Sequence, residues 1–99
     1  MKMYILVKET LSVGIAMTAV AHASVACFRQ YEHTRQMQDW LSSFKKVVCK
    51  VNDKEFEKAK EFECNVILKE STLNGLETAI AFMPREEYPK AFKHYRLYN

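Results

Sequence analysis

Residues 3–28, MYILVKETLSVGIAMTAVAHASVACF, constrain this chain more than any other stretch. Met3 to Val7 is almost continuously apolar, the pattern of a strand covered on both faces of a sheet. A polar turn, Lys8 to Ser12, leads into a long segment carrying Ala16, Ala19, Ala21, Ala23 and Ala26. Small side chains let a helix approach a sheet closely, so the stretch reads as the opening of a βα unit that the rest of the chain covers or extends. Ser12 is the expected N-cap. Gly14 falls in the first helical turn, where glycine costs roughly 1 kcal/mol relative to alanine, and this points to something that must approach the backbone there.

The remaining elements follow from period and punctuation. Met37, Trp40, Leu41 and Phe44 lie at i, i+3, i+4 and i+7, which predicts an amphipathic helix over 34–44 capped by Thr34, with Trp40 covering the sheet. The Val-rich run Lys45 to Val51 predicts a second strand, parallel to the first because a helical crossover joins them. Asn52 or Asp53 caps a third helix whose alternating charges form a solvated face, with Phe56, Ala59 and Phe62 turned inward. Cys64–Leu68 and Thr78–Phe82 read as third and fourth strands, with Asn74-Gly75 as a turn between them. Pro84 stops the fourth strand, and a last helix is expected over 86–95. The predicted architecture is a single α/β domain spanning residues 1–99, in the order β-α-α-β-α-β-β-α, with a four-stranded mixed sheet and helices on both faces.

Length and composition agree with one domain: 99 residues, 48% hydrophobic, two Gly and two Pro leave room for a core and none for a flexible linker. A net charge of +3 is compatible with an anionic partner without being a nucleic-acid signature. Cys27, Cys49 and Cys64 are odd in number and far apart, which favours reduced thiols in a cytoplasmic protein. The scattered His22, His33 and His94 argue against a metal centre, and no cofactor motif is present. The apolar run Leu11 to Ala21 followed by A-H-A imitates a secretory signal, but Glu9 borders it and cleavage after Ala23 would remove the central strand. The run is too short to span a bilayer, so no membrane partner is expected.

The M-Y-I-L-V strand, the polar turn, Gly14 and the A-V-A-H-A run at Ala19 to Ala23 resemble the opening of the second class of peptidyl-tRNA hydrolases, known from archaea and eukaryotes. The order of the later elements is similar as well. The resemblance implies the mixed-sheet fold above and hydrolysis of the ester linking a stranded peptide to tRNA, with tRNA as partner. In that family the helix opening reads G-K-x-A-A-Q-x-A-H-A and the loop after the third strand D-A-G-x-T, whose Lys, Asp and Thr are implicated in the cleavage. Counting back from A-V-A-H-A, the Lys falls on Ile15 and the Gln on Ala19, while K-E-S-T stands in the second motif. An Ile can neither donate a proton nor pair with a phosphate.

The site is expected at the carboxyl ends of the strands, where Lys8, Glu9, Thr10 and Ser12 meet Lys69, Glu70, Ser71 and Thr72. Glu70 is the candidate to orient or deprotonate water and Thr72 to donate a hydrogen bond. Lys8 or Lys69 would replace the lost cation. His22 matches the family's A-H-A and could act near neutral pH, but within an Ala-rich helix it reads first as a packed core residue. The C-terminal run from Arg85 interleaves Arg85, Lys90, Lys93 and Arg96 with Tyr88, Phe92, Tyr95 and Tyr98, a pattern suited to RNA or a protein partner. Its simpler reading is a segment whose aromatics cover the sheet. The alternative to an enzyme is a non-catalytic relative that binds RNA or protein through the same rim, and a homodimer is a further expectation for a sheet domain of this size.

Overall fold

The computed structural model describes the whole chain, Met1 to Asn99. Strand β1 (Met3–Lys8) runs into helix α1 (Val13–Tyr31), followed by α2 (Arg35–Trp40), β2 (Lys46–Val51), α3 (Asp53–Ala59), β3 (Asn65–Glu70), β4 (Leu76–Phe82) and β5 (Arg96–Leu97). The five strands form one sheet in the order β3-β4-β1-β2-β5. β1 pairs parallel with β2 from Met3↔Lys46 to Lys8↔Val51 and antiparallel with β4, which pairs antiparallel with β3. β3 therefore runs in the same direction as β1 and β2, and their carboxyl ends share one edge of the sheet.

Alternation along β1 divides the core into two layers. Met3, Ile5 and Val7 face α1 and α2, packing against Ala16, Ala19, Ala23, Cys27, Met37 and Trp40. Leu6 faces the other way, with Cys49, Val51, Phe56, Ile80, Phe82 and Phe92. Each such fully buried large side chain stabilises the fold by roughly 1.5–3 kcal/mol relative to exposure. Trp40 covers the sheet as expected, its indole Nε1 donating to the Lys45 carbonyl at 2.7 Å and its ring stacked on Phe44. Thr34 and Asn52 cap α2 and α3 by accepting from the backbone of Met37 and Glu55, and the Glu55 carboxylate accepts in turn from the Asn52 N–H.

Two expectations need correction. The sheet has five strands, not four, and the expected last helix over 86–95 is only a 3₁₀ turn, Lys90–His94. Pro89 has no N–H and biases Tyr88 away from helical geometry, so a regular helix cannot form across it. Arg85 is instead tied to Lys2 by a two-way backbone bridge, and Tyr88 Oη lies 2.8 and 2.7 Å from the Lys2 and Met83 carbonyls, which share its one proton. After the turn, Tyr95 is extended and delivers Arg96 and Leu97 to the open edge of β2, opposite Lys50 and Cys49. A two-residue strand leaves no periodic trace in a sequence, and it serves here to cover an edge that would otherwise be exposed.

Candidate active site

The edge at which β1 and β3 end holds a polar cleft of about 450 Å³, lined by Ser12, Gly14, Ile15, Thr18, His22, Glu70 and Thr72. One wall is α1. Gly14, Thr18 and His22 are four residues apart and so lie in one stripe along the helix. Ser12 is the N-cap in extended conformation, but its hydroxyl makes no capping bond. The first-turn N–H groups, at the positive end of a 19-residue helix, are thus not occupied by the cap side chain. A Cβ added at Gly14 would meet nothing within 4 Å, so no internal packing demands a glycine there. Its place is the wall of the cleft.

The other wall is the turn after β3. Ser71–Leu73 form a 3₁₀ turn closed by Asn74 and Gly75 at φ of 56° and 76°, with the Gly75 N–H donating to the Glu70 carbonyl at 3.0 Å. Within it Glu70 Oε1 accepts from the Thr72 N–H at 3.3 Å and from Thr72 Oγ1 at 3.0 Å. Those two bonds fix one carboxylate oxygen and leave the other without a protein donor. A positioned carboxylate, an imidazole and free helix N–H groups are the parts needed to activate water and hold a developing oxyanion.

The structure brings together three of the expected catalytic residues, His22, Glu70 and Thr72. His22 is exposed on the cleft wall, not packed in the core, because the sheet-facing stripe of α1 belongs to Ala16, Ala19, Ala23 and Cys27. Lys8 and Lys69 lie on the opposite face of the sheet. The Lys8 ammonium sits 4.7 Å above the ring of Phe56, which belongs to the other core layer. Lys69 is paired across the strands with Glu77.

A bulge sets that arrangement. Leu68 pairs with Ala79 but Lys69 with Glu77, leaving Thr78 as the extra residue on β4. The shift turns Glu77 to the α3 face, where Lys60 Nζ lies 2.5 Å from its carboxylate and 2.8 Å from Glu57. The Lys60 hydrogen bond holds the Glu77 carboxyl below the ordinary carboxylate range, with Lys8 and Lys69 adding to it.

The basic residues of the C-terminal run are divided. Arg85, Lys90 and Lys93 line a cavity of about 360 Å³ with Lys2 at the far end of β1, alongside Glu86 and Glu87. Arg96 is at the other end, paired with Glu9 at 3.2 Å. The aromatics between them cover the sheet. Phe92 is 2% exposed and its ring centroid lies 4.8–5.3 Å from those of Tyr88, Phe82, Phe62, Tyr4 and Tyr95.

Reading the sequence did not single out Thr18, although the four-residue spacing of Gly14, Thr18 and His22 was available as a signal. No three His, Cys, Asp or Glu side chains cluster so as to hold a metal, and no helix is long and apolar enough to cross a membrane. No curated protein sequence matches the chain. A family model, described as peptidyl-tRNA hydrolase PTH2, matches residues 1–98. The strand, helix opening and turn that build this cleft all fall within that match, and the chain belongs to the PTH2 family of peptidyl-tRNA hydrolases.

Proposed function

We propose that the cleft hydrolyses the ester between a peptidyl or blocked aminoacyl group and the terminal ribose of tRNA, in the cytosol where such esters arise. The observation that carries this reading is that Glu70, Thr72 and His22 line one cleft with the opening turn of α1, in a chain of this family. Water approaching the acyl carbon loses its proton to the free oxygen of Glu70, which the two Thr72 bonds hold in place. The new carbon–oxygen bond forms, the oxyanion is met by first-turn N–H groups, and the bond to the ribose oxygen breaks as Glu70 returns to it the proton taken from water, with His22 lining the cleft further along α1, where it contacts the substrate away from the reacting carbon.

Lys8 and Lys69 have a different task in this scheme. Both border the same sheet edge from its other face, where they attract the phosphates of the tRNA end without touching the ester. Arg85, Lys90 and Lys93, with Lys2, contribute contacts to RNA further along the surface, while Arg96 is largely neutralised by Glu9.

Glu70→Gln keeps the shape and both Thr72 contacts but removes the base. Turnover of an N-acetyl-aminoacyl-tRNA should fall by about 10²–10³-fold with melting unchanged. His22→Ala should slow it by a smaller factor. Full activity in Glu70→Gln would rule the assignment out.

One feature favours a second reading. Ile15 occupies the cleft where the family carries its Lys, and neither Lys8 nor Lys69 faces that space. A non-catalytic relative that retains tRNA through the same rim would bind RNA in a salt-sensitive manner and release nothing.

A further inference from the structure

We infer that the free edge of β3 holds the peptide of the substrate as an added strand, parallel to β3 and ending at Glu70. The inference rests on the reading of the cleft as the place of the ester. The sheet has two edges, and the chain covers one of them: β5 lies along β2, whereas no strand pairs with the outer side of β3. The Cys64 carbonyl accepts from the Met83 N–H and the Glu70 carbonyl from the Gly75 N–H, both at 3.0 Å, so the even-numbered residues of β3 bond towards β4. By alternation Ile67 and Lys69 turn their N–H and C=O groups outward, and no turn or loop bonds them. The half-buried centre of the strand, Val66-Ile67-Leu68, carries neither the proline nor the charge that usually blunts an open edge.

Direction, length and chemistry select a peptidyl group as the occupant. Glu70 both ends β3 and lines the cleft. The acyl carbon attacked there belongs to the last residue of the peptide, so the earlier residues must lead away from the cleft. Back along β3 from Glu70 to Asn65 is about 17 Å at ~3.3 Å per residue, room for roughly four or five residues in extended form. Helix α1 flanks that path from end to end: His22 stands beside Glu70 in the cleft wall, Val66 and Leu68 pack into the layer under the helix, and Tyr31 Oη donates to the Asn65 carbonyl at 3.4 Å. Stranded peptides share a backbone but no side-chain sequence. A strand edge recognises that shared part, because its affinity comes from main-chain hydrogen bonds.

The test uses an acceptor-stem RNA minihelix with a 3′ amide in place of the ester, carrying either N-acetylalanine or N-acetyl-tetra-alanine, and reads binding to the full chain by fluorescence anisotropy. The tetrapeptide conjugate should bind about 10-fold more tightly, the gain from roughly two backbone hydrogen bonds. N-methylation of alternate peptide residues should remove that gain in one register and spare it in the other, the period-two signature of a strand. Ile67→Pro removes an outward donor where an edge strand tolerates proline, and should abolish the gain while the single-residue conjugate binds as before. If that variant does not melt cooperatively, the N-methyl series decides alone, since it leaves the protein unchanged. Equal affinity for the two conjugates would overturn the proposal, and so would a loss that is the same for N-methylation in either register. It also falls if Ile67→Pro keeps the gain but converts a dimer into a monomer in sedimentation, because the edge then pairs with a second copy. Release from the matching ester conjugates is followed in parallel: a tetrapeptide gain without release sinks the hydrolytic reading and supports the edge site, whereas release without the gain sinks the edge site alone.

Discussion

Replacing Phe92 by Ala decides what the C-terminal basic-aromatic segment is for. Phe92 is nearly inaccessible, and five aromatic rings surround it within 5.3 Å. Its 3₁₀ turn is short, with the Phe92 N–H bonded to the Pro89 carbonyl, so the segment cannot slide inward to refill the space. Loss of the transferred surface plus an unrelaxed cavity should cost about 3–5 kcal/mol, a large part of the 5–15 kcal/mol available to a domain of this size. With an unfolding entropy of about 2.1 cal/mol/K per residue, the loss corresponds to a Tm lower by roughly 15–25 °C. Calorimetry together with urea titration would measure it, since a shifted midpoint at constant slope reports stability alone. A change below about 1 kcal/mol would refute the reasoning: Phe92 would then not anchor the cover, and the aromatics would be free to stack on bases.

Ile15→Lys should restore a cation to the cleft and raise ester turnover by about 10²-fold, read in the same tRNA assay; a folded variant with unchanged or lower turnover would contradict the assigned geometry. Glu77→Gln should destabilise the domain near neutral pH. Because the folded Glu77 carboxyl titrates below its ordinary range, the wild type's advantage is present above about pH 4.3 and should disappear as pH falls through the lowered value, seen as converging melting curves. Thiol labelling of native protein should modify one cysteine, exposed Cys64, whereas Cys27 and Cys49 are buried and burial pushes their thiols up to about 12 and 11. Labelling of all three without denaturant would show that the core is open.

The elements that carry a period were legible in the sequence. The apolar run of β1 is buried apart from half-buried Tyr4, and Ala16, Ala19 and Ala23 of α1 are buried while Ala21 is exposed; of the face expected over 34–44, Met37 and Trp40 are buried, but the helix ends at Trp40 and leaves Leu41 and Phe44 exposed. The segment after Pro84 was not legible as structure, because its conformation is set by two prolines, one backbone bridge and the vacant edge of β2, none of which has a periodicity. Its aromatics nevertheless do what their composition suggested and cover the sheet. Glu70, Thr72 and His22 could be named individually, but their meeting depends on the sheet order β3-β4-β1, a long-range property. The opposite placement of Lys8 follows from strand alternation alone: Val7 faces α1, so its neighbour faces away. Lys69 needed the β4 bulge as well to define its partner, and a one-residue shift of pairing has no local signature.

The measurement that addresses the central claim most directly is release of acylated amino acid from an N-blocked aminoacyl-tRNA by folded wild-type protein, beside a buffer control. The account predicts release above the uncatalysed rate, lost in Glu70→Gln. Release no faster than the control, from protein whose cooperative melting shows it folded, would contradict it and mark Ile15 as the site where this family member gave up hydrolysis.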